Sequence, residues 1–132
     1  MGAFMPSAEL CAEPTSRVLV VEDQDDIREF LALVLQNEGY CVTTADNGAV
    51  ALEAVAQKPV GVVLLDMRMP VMDGWAFADA YRRREGPHAP IVVLTAAQDA
   101  AARAAQINAA DYLGKPFELD DLLSVVARYA RG

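Results

Sequence analysis

Five polar or charged side chains each stand at the end of a short, mostly apolar run of residues. They are Glu22, Asp23, Asp66, Thr95 and Lys115. Carboxylate oxygens suit hard divalent cations, and Mg²⁺ is commonly held through one or two carboxylates together with phosphate oxygens. A lysine ammonium binds phosphate as a point charge. These residue types together indicate a metal site at which a phosphate group is handled.

The acidic residues need a counter-charge if the fold brings them together. Two like charges about 4 Å apart repel by roughly 4 kcal/mol at an effective dielectric of about 20. Asp66 directly follows a long apolar run, and a buried carboxylate there costs several kcal/mol unless it is paired or bound to metal. Lys115 can neutralise only part of this charge. We therefore expect a divalent cation, Mg²⁺ with Mn²⁺ as an alternative.

Three of these residues also have a simpler structural explanation when each is taken singly, whereas Asp66 is harder to dismiss. Asp23 could merely cap a helix, Thr95 could be a structural strand-end residue, and Lys115, which precedes a proline, could be solvated. The complete set is more specific than any one member.

The apolar runs predict five strands, at 18–21, 41–45, 60–65, 91–94 and 111–114. Three of them are continuous rather than alternating in polarity, as expected for strands buried on both faces of a parallel sheet. In such sheets, ligands bind beyond the carboxyl ends of the strands, where the strand order reverses. All five candidate site residues fall at those ends.

Helical patterns separate the strands. The first helix is predicted to begin with Asp25 or Asp26 as its N-cap and to stop at Gly39. Its apolar face comprises Ile27, Phe30, Leu31, Val34 and Leu35. The next three helices are predicted at 47–57, 73–84 and 99–107, and the last places Leu119, Leu122, Leu123 and Val126 on one stripe. This alternation predicts an α/β, doubly wound (βα)₅ fold of the flavodoxin-like type, with a five-stranded parallel sheet of order 2-1-3-4-5 and helices on both faces.

Composition limits the other possibilities. A chain of 132 residues with 54% hydrophobic residues fits one domain, predicted at 17–131 after a flexible tail at 1–16. The net charge of −8 argues against direct nucleic-acid binding. We identify no signal peptide or membrane anchor, so we expect a cytoplasmic protein with no membrane partner. Cys11 and Cys41 show no framework spacing, and we expect both to be reduced.

Four segments match a known family. The sequence resembles the receiver domains of two-component response regulators, the CheY-like superfamily, over essentially all of 17–131. The matching segments are VLVVEDQDDIR at 18–28, VVLLDMRMPVMDG at 62–74, IVVLTA at 91–96 and DYLGKPF at 111–117. Their order and spacing make the resemblance highly specific.

The resemblance implies a role for each residue of the metal site. Asp66 corresponds to the phosphoacceptor, which attacks as a nucleophile and forms an aspartyl phosphate. Glu22 and Asp23 correspond to the acidic pair that holds Mg²⁺, together with Asp66 and the backbone carbonyl of Arg68. Glu22, where the family often has Asp, is expected to reach the metal through water. No organic cofactor is implied.

The resemblance also implies phosphoryl contacts and a switch. Thr95 and Lys115 correspond to the residues that bind the phosphoryl group, and the peptide between Lys115 and Pro116 to one that is cis. Tyr112 corresponds to the aromatic residue whose rotamer follows activation together with Thr95. This change would alter the face made by the fourth helix, fifth strand and fifth helix. The alternative for Tyr112 is a half-buried core aromatic.

The implied activity is signalling rather than classical enzyme catalysis. The receiver would catalyse its own phosphorylation and dephosphorylation, taking the phosphoryl group from a sensor histidine kinase or a histidine phosphotransfer protein. We expect it to act on an unknown downstream protein, as a stand-alone chain or as a receiver excised from a larger protein. Either a monomer or a phosphorylation-dependent dimer fits this function.

Residues at three positions of the family pattern and the composition of one helix also matter. Asn108 stands where Gly is common, and Asn tolerates the left-handed conformation. Arg68 and Ala97 occupy positions that tune dephosphorylation, and our hypothesis is that Arg68 shields the acyl phosphate from water. The fourth helix contains almost no large apolar side chain except Ile107, so it should be weakly anchored.

Three alternatives remain. An enzyme of the haloacid dehalogenase type would carry a second Asp two residues after the nucleophile, where this chain has Arg68. A flavodoxin-like FMN carrier would need a Ser-, Thr- and Gly-rich phosphate loop after the first strand, where this chain has EDQDD. The third alternative is a degenerate receiver that only mediates contacts, and the complete set of site residues argues against it.

Overall fold

The computed structural model describes residues 13–130, which form five strands and five α-helices in strict alternation. The strands are β1 Arg17–Val21, β2 Cys41–Ala45, β3 Val62–Asp66, β4 Ile91–Ala96 and β5 Asp111–Lys115. The helices are α1 Asp25–Asn37, α2 Gly48–Gln57, α3 Gly74–Arg83, α4 Ala97–Gln106 and α5 Leu119–Tyr129.

The five strands form one parallel sheet in the order β2-β1-β3-β4-β5, which confirms the predicted fold. β1 and β3 lie side by side at the reversal of strand order, with Val21 paired to Leu65. Their carboxyl ends therefore open at the same edge of the sheet. The ends of β4 and β5 reach that edge too, since Thr95 pairs with Gly114.

The central strands are buried because helices cover both faces of the sheet. Val18 and Val20 of β1 face a cluster that includes residues of α1 and α5, whereas Leu19 and Val21 face residues of α2, α3 and α4. All five residues of β3 are buried, including Asp66 at its end. Such two-sided burial explains why these strands read as continuous apolar runs.

Several element ends and exposures differ from the predictions. The N-cap of α1 is Gln24, and Asp25 and Asp26 lie in the first turn. β3 begins at Val62 rather than at residue 60. On the predicted apolar faces, Phe30 is 50% exposed and Leu119 is 44% exposed, because each lies at the margin of its helix's buried face.

The α4 helix begins at Ala97, two residues earlier than predicted, and buries only Ala100 and Ala104 within its length. It contacts α3 through polar groups. Trp75 Nε1 donates to Gln106 Oε1 at 2.8 Å, and the Arg103 guanidinium lies 5.2 Å from the centre of the Trp75 ring. The Arg82 guanidinium donates to the carbonyl of Ile107 just after α4.

Among residues 13–130, two non-glycine residues have left-handed backbones, Asn108 with φ of 53° and Val71 with φ of 69°. Asn108 therefore adopts the left-handed conformation that the sequence analysis expected it to tolerate. The peptide between Lys115 and Pro116 is cis, as the resemblance implied.

The amino-terminal end of the described chain is already ordered before β1. Pro14–Ser16 form a 3₁₀ turn in which Ser16 is buried, although the flexible tail was expected to reach residue 16. The rest of that predicted tail, residues 1–12, lies outside the described residues. Within 13–130, no helix is long and apolar enough to cross a membrane.

Cys41 at the start of β2 is disulfide-bonded, which corrects the expectation of a reduced thiol there. The spacing of cysteines along the sequence does not show which side chains meet in the fold, so it could not predict this bond. Cys11 lies outside the described residues.

Candidate functional site

Three carboxylates meet at the carboxyl-terminal edge of the sheet. Glu22 and Asp23 directly follow β1, and Asp66 ends β3. Each offers an oxygen, and the three oxygens lie within 4.8 Å of one another. Glu22 is fully buried, Asp66 is 7% exposed and Asp23 is half-buried. The structure therefore brings the predicted acidic residues into one cleft.

Lys115, the last residue of β5, supplies the positive charge in this cleft. Its Nζ lies 2.7 Å from Glu22 Oε1 and 3.7 Å from Asp66 Oδ2. The lysine side chain is 23% exposed, so solvent reaches the cleft on this side. The ammonium pairs with two of the three carboxylates, and the excess negative charge favours a further cation.

The pKa of Asp66 is raised from 3.8 to about 7. Burial is the main cause, because removal from water disfavours the charged carboxylate. The negative charge of Glu22 and a hydrogen bond with its carboxyl raise the pKa further, while Lys115 and the Arg68 N–H lower it. A divalent cation would replace the proton as the counter-charge of this carboxylate.

Thr95 and Arg68 lie close to Asp66 along the sheet edge. Asp66 pairs with Leu94 in the β3–β4 register, so Thr95 is one residue further along the neighbouring strand, where it is buried. The Arg68 N–H donates to Asp66 Oδ1 at 3.4 Å, and the Arg68 side chain is exposed. The role of the Arg68 carbonyl as a metal ligand remains a prediction.

Tyr112 lies on β5 with its residue 46% exposed, which places it outside the core. Its backbone N–H donates to the side chain of Asp111, and that side chain also accepts from Arg128 of α5. Both the switching role of Tyr112 and the half-buried alternative therefore stay predictions.

The loop after Asp66 is held in place by a glycine at the start of α3. The Gly74 N–H donates to the Met67 carbonyl at 2.9 Å. A Cβ at Gly74 would lie 2.8 Å from Met67 Cα and 2.9 Å from the Asp66 carbonyl oxygen. Real Cβ atoms do not come this close to backbone, so only glycine lets α3 begin directly under the acidic cleft.

The segment after β1 is fixed by backbone contacts and by an arginine that the sequence analysis missed. The Glu22 N–H donates to the Ala45 carbonyl at 3.0 Å, and the Gln24 N–H donates to Glu22 Oε2 at 3.3 Å. Arg28 of α1 donates to the carbonyl oxygens of Glu22 and Asp23. Long side chains on a helix point back toward its N-terminus, and this preference could have predicted that Arg28 reaches the segment before α1.

The donor set fits Mg²⁺ by its chemistry. It consists of carboxylate oxygens at a cleft that stays open on one side, and Mg²⁺ prefers few carboxylates, retained waters and phosphate oxygens. Lys115 and Thr95 add a cation and a hydroxyl to the same edge. The arrangement can orient a phosphoryl group against a carboxylate oxygen and stabilise its charge.

A family model described as the response regulator receiver domain matches residues 18–127. The DNA-binding transcriptional regulator NtrC of Escherichia coli K12 is 43% identical over 113 residues, which cover 84% of this chain. That match covers 24% of NtrC, so this chain spans about a quarter of its relative's length.

Solved structures show the same likeness. The receiver domain of NtrX from Brucella abortus superposes with a TM-score of 0.76 at 32% identity, covering 85% of this chain and 96% of that one. The receiver domain of the sensor histidine kinase PA1611 from Pseudomonas aeruginosa gives a TM-score of 0.78 at 31% identity, covering 86% and 95%. In that structure a magnesium ion is coordinated in the active site cleft.

Proposed function

This chain belongs to the response regulator receiver domain family, and on that premise we propose that it is a phosphoacceptor in His-to-Asp signalling, phosphorylated on Asp66 with Mg²⁺ bound. The observation that carries the proposal is the cleft in which Asp66 meets Glu22, Asp23 and Lys115. A group of carboxylates with one ammonium suits metal-assisted phosphoryl transfer. Membership of the receiver family supports a role of this transfer in signalling.

In the proposed reaction, an Asp66 carboxylate oxygen attacks the phosphorus of a phosphohistidine. The new O–P bond forms as the P–N bond breaks, and the electron pair stays on the histidine nitrogen. Glu22, Asp23, Asp66 and the Arg68 carbonyl would hold Mg²⁺, with Mn²⁺ as a substitute. The bound cation neutralises negative charge that develops on the phosphoryl oxygens.

Lys115 and Thr95 act on the same group in this proposal. Lys115 binds a phosphoryl oxygen through its ammonium, and Thr95 donates a hydrogen bond to another. Drawing Thr95 toward the phosphoryl group opens space for the exposed Tyr112 ring to turn inward. The face made by α4, β5 and α5 would change with it and control binding of a partner protein.

We further propose a histidine kinase or a histidine phosphotransfer protein as the phosphoryl source, in the cytoplasm. Hydrolysis of the aspartyl phosphate by water would reset the protein, so it is a self-modifying switch rather than a classical enzyme. NtrC is named a DNA-binding transcriptional regulator, so our expectation of no direct nucleic-acid contact stays a prediction. The downstream target and the choice between monomer and phosphorylation-dependent dimer are also open to experiment.

Intact mass spectrometry tests the proposal directly. The protein is incubated with Mg²⁺ and acetyl phosphate, and we expect one added phosphoryl group, about 80 Da in mass. Chelation of Mg²⁺ should abolish the adduct. Asp66→Asn is the matched control, because it keeps the size of the side chain and removes the nucleophilic carboxylate. An adduct of equal yield on Asp66→Asn would contradict the assignment.

A haloacid dehalogenase activity is the second candidate that this experiment separates. It would release inorganic phosphate continuously from the donor and leave little phosphorylated protein. Arg68 stands where that class needs a general acid, and its side chain is exposed. We therefore expect a stoichiometric adduct rather than many turnovers.

A further inference from the structure

Arg28 connects the first helix to the backbone of the acidic pair. Its NH1 nitrogen donates to the Glu22 carbonyl at 3.0 Å and to the Asp23 carbonyl at 3.4 Å. Its NH2 nitrogen contacts Asp25 Oδ1 at 2.5 Å. The Arg28 side chain is only 17% exposed, whereas that of Asp25 is 79% exposed. The guanidinium is therefore packed against the segment that carries the metal-binding carboxylates.

These two carbonyls lie where the chain leaves β1 and has not yet entered α1. The Glu22 N–H is held by the Ala45 carbonyl from β2, which fixes the peptide that precedes Glu22. Arg28 of α1 holds the next two peptides through the carbonyl oxygens of Glu22 and Asp23, so Glu22 is tied to two elements and Asp23 to one of them. A planar guanidinium suits this task because NH2 is held by Asp25 while NH1 contacts both carbonyls, so the orientation of the donor is fixed.

We propose that Arg28 is a positioning residue for the metal site, holding Glu22 and Asp23 so that their carboxylates converge on one ion. The inference rests on the proposed function, since it requires that the site bind Mg²⁺. Arg28 would act through the backbone of the two acids and would not touch the phosphoryl group. Groups that orient metal ligands commonly change metal affinity by about 10- to 100-fold when removed.

The charge of Arg28 and its positioning role predict opposite effects on the affinity for Mg²⁺. A positive charge beside a cation site weakens cation binding, so its removal alone would tighten binding of Mg²⁺. Asp25 already neutralises much of that charge at 2.5 Å. Positioning predicts the opposite sign, namely weaker Mg²⁺ binding when Arg28 is removed. The direction of the change therefore separates the two effects.

The test is a titration of the metal-free protein with MgCl₂ by isothermal titration calorimetry, in low and in high salt. For Arg28→Ala we expect the Kd for Mg²⁺ to rise by about 10-fold over the parent's. This ratio should be the same in low and high salt, because salt screens surface charge effects but not a positioning effect. Arg28→Lys should give an intermediate Kd, since the lysine side chain is one atom shorter and its single nitrogen cannot hold Asp25 and the two carbonyls together as the guanidinium does.

Two controls match the charge changes. Asp25→Asn removes the ion pair but leaves the carbonyl contacts, and we expect its Kd to stay within about twofold of the parent's. Arg83→Ala removes an exposed arginine that pairs with Asp79 at the far end of α3, and its Kd should be unchanged. A urea unfolding curve of each metal-free variant accompanies the titration, because a merely structural arginine would lower stability without changing the Kd.

Each outcome decides between the hypotheses. If the parent protein binds no Mg²⁺, the proposed function fails. If the parent binds Mg²⁺ and Arg28→Ala binds it equally or more tightly, only the role of Arg28 is overturned. If Arg28→Ala does not fold, the lysine variant decides: a weaker Kd supports positioning and an unchanged Kd overturns it. With phosphodonor present, saturating Mg²⁺ should restore the phosphorylation rate of the variants.

Discussion

Lys115 is held more closely by Glu22 than by Asp66, with Nζ 2.7 Å from Glu22 Oε1 and 3.7 Å from Asp66 Oδ2. Glu22 has no exposed surface, so the ammonium serves as the main charged partner of a buried carboxylate. Removing one partner of a buried ion pair costs about 3–5 kcal/mol, because the other charge stays in the interior. The lysine therefore has a structural role in addition to its proposed contact with the phosphoryl group.

Lys115→Met tests this role, since methionine keeps much of the side-chain volume without the charge. We expect the free energy of unfolding of the metal-free protein to fall by about 3 kcal/mol, the lower end of the range because Lys115 is partly exposed. Mg²⁺ should recover part of the loss. Urea unfolding with and without Mg²⁺ measures it, and Lys58→Met, at an exposed position, is the control. Equal stability of the two variants would contradict the prediction.

The raised pKa of Asp66 predicts how stability depends on pH. In the unfolded chain an aspartate titrates near pH 4, whereas the pKa of Asp66 in the folded protein is about 7. Between these values the unfolded state releases the proton and the folded state retains it, so metal-free stability should fall as pH rises from about 4 to about 7 and level off above.

Urea unfolding at a series of pH values checks this dependence, with Asp66→Asn as the control. The variant should lack the decrease, so its advantage over the parent should grow toward pH 8. Saturating Mg²⁺ should also suppress the decrease, because the cation stabilises the ionised carboxylate. Parallel pH curves for parent and variant, without metal, would rule out Asp66 as the titrating group.

Weak anchoring of α4 predicts fast amide exchange. The helix buries only alanines, Ala100 and Ala104, whereas α1 buries Leu31 and Leu35. Hydrogen exchange followed by mass spectrometry should therefore show less protection in α4 than in α1. Equal protection of the two helices would refute the prediction.

Trp75→Phe sharpens this test, since it keeps an aromatic ring and removes the Nε1 donor to Gln106. A hydrogen bond of this kind contributes about 1 kcal/mol, so exchange in α4 should accelerate further, by about fivefold, while α1 is unaffected. An unchanged rate in α4 would show that the bond to Gln106 does not anchor the helix.

The left-handed residues Val71 and Asn108 predict opposite substitution effects. A β-branched side chain at φ of 69° is strained by about 1–2 kcal/mol, and Val71 is 85% exposed with little packing to lose. Val71→Asn should raise the free energy of unfolding by about 1 kcal/mol. Asn108→Val, at φ of 53°, should lower it by a similar amount. Urea unfolding measures both, and changes of the same sign would contradict this explanation.

Arg68 is expected to slow loss of the phosphoryl group. Its backbone N–H contacts Asp66 and its side chain is exposed, and our hypothesis is that this side chain shields the proposed acyl phosphate from water. After removal of the phosphodonor, the phosphorylated Arg68→Ala variant should decay faster than the parent by intact mass spectrometry. Arg83→Ala is the matched arginine control. Decay of Arg68→Ala no faster than the parent would count against shielding.

The strands and the acidic cleft could be predicted because both depend on short segments of the sequence, namely the apolar runs and the residues that follow them. Val62–Asp66 is buried on both faces, and this burial demands the continuous apolar run that identified it. Parallel connectivity then places every strand's carboxyl end at one edge, so the residue after each run becomes a site candidate.

Side-chain exposure and pairing could not be predicted in the same way. Phe30 fits the helical period of α1 but lies at the margin of the buried face, where the period alone does not distinguish covered from exposed. The contacts of Arg28 with backbone carbonyls, and the preference of Lys115 for Glu22, depend on rotamers set by the assembled fold. The spacing of residues along the sequence predicts neither of these contacts.

Glu22 and Lys115 are joined across 93 positions of the chain, from the end of the first strand to the end of the last. A ribosome must therefore release nearly the whole domain before this ion pair can close. Nascent chains that lack the fifth strand would contain the three acidic residues of the cleft without their ammonium partner. Under the proposed function, such truncated products would lack a phosphoryl-binding group and would be poor competitors for phosphoryl groups.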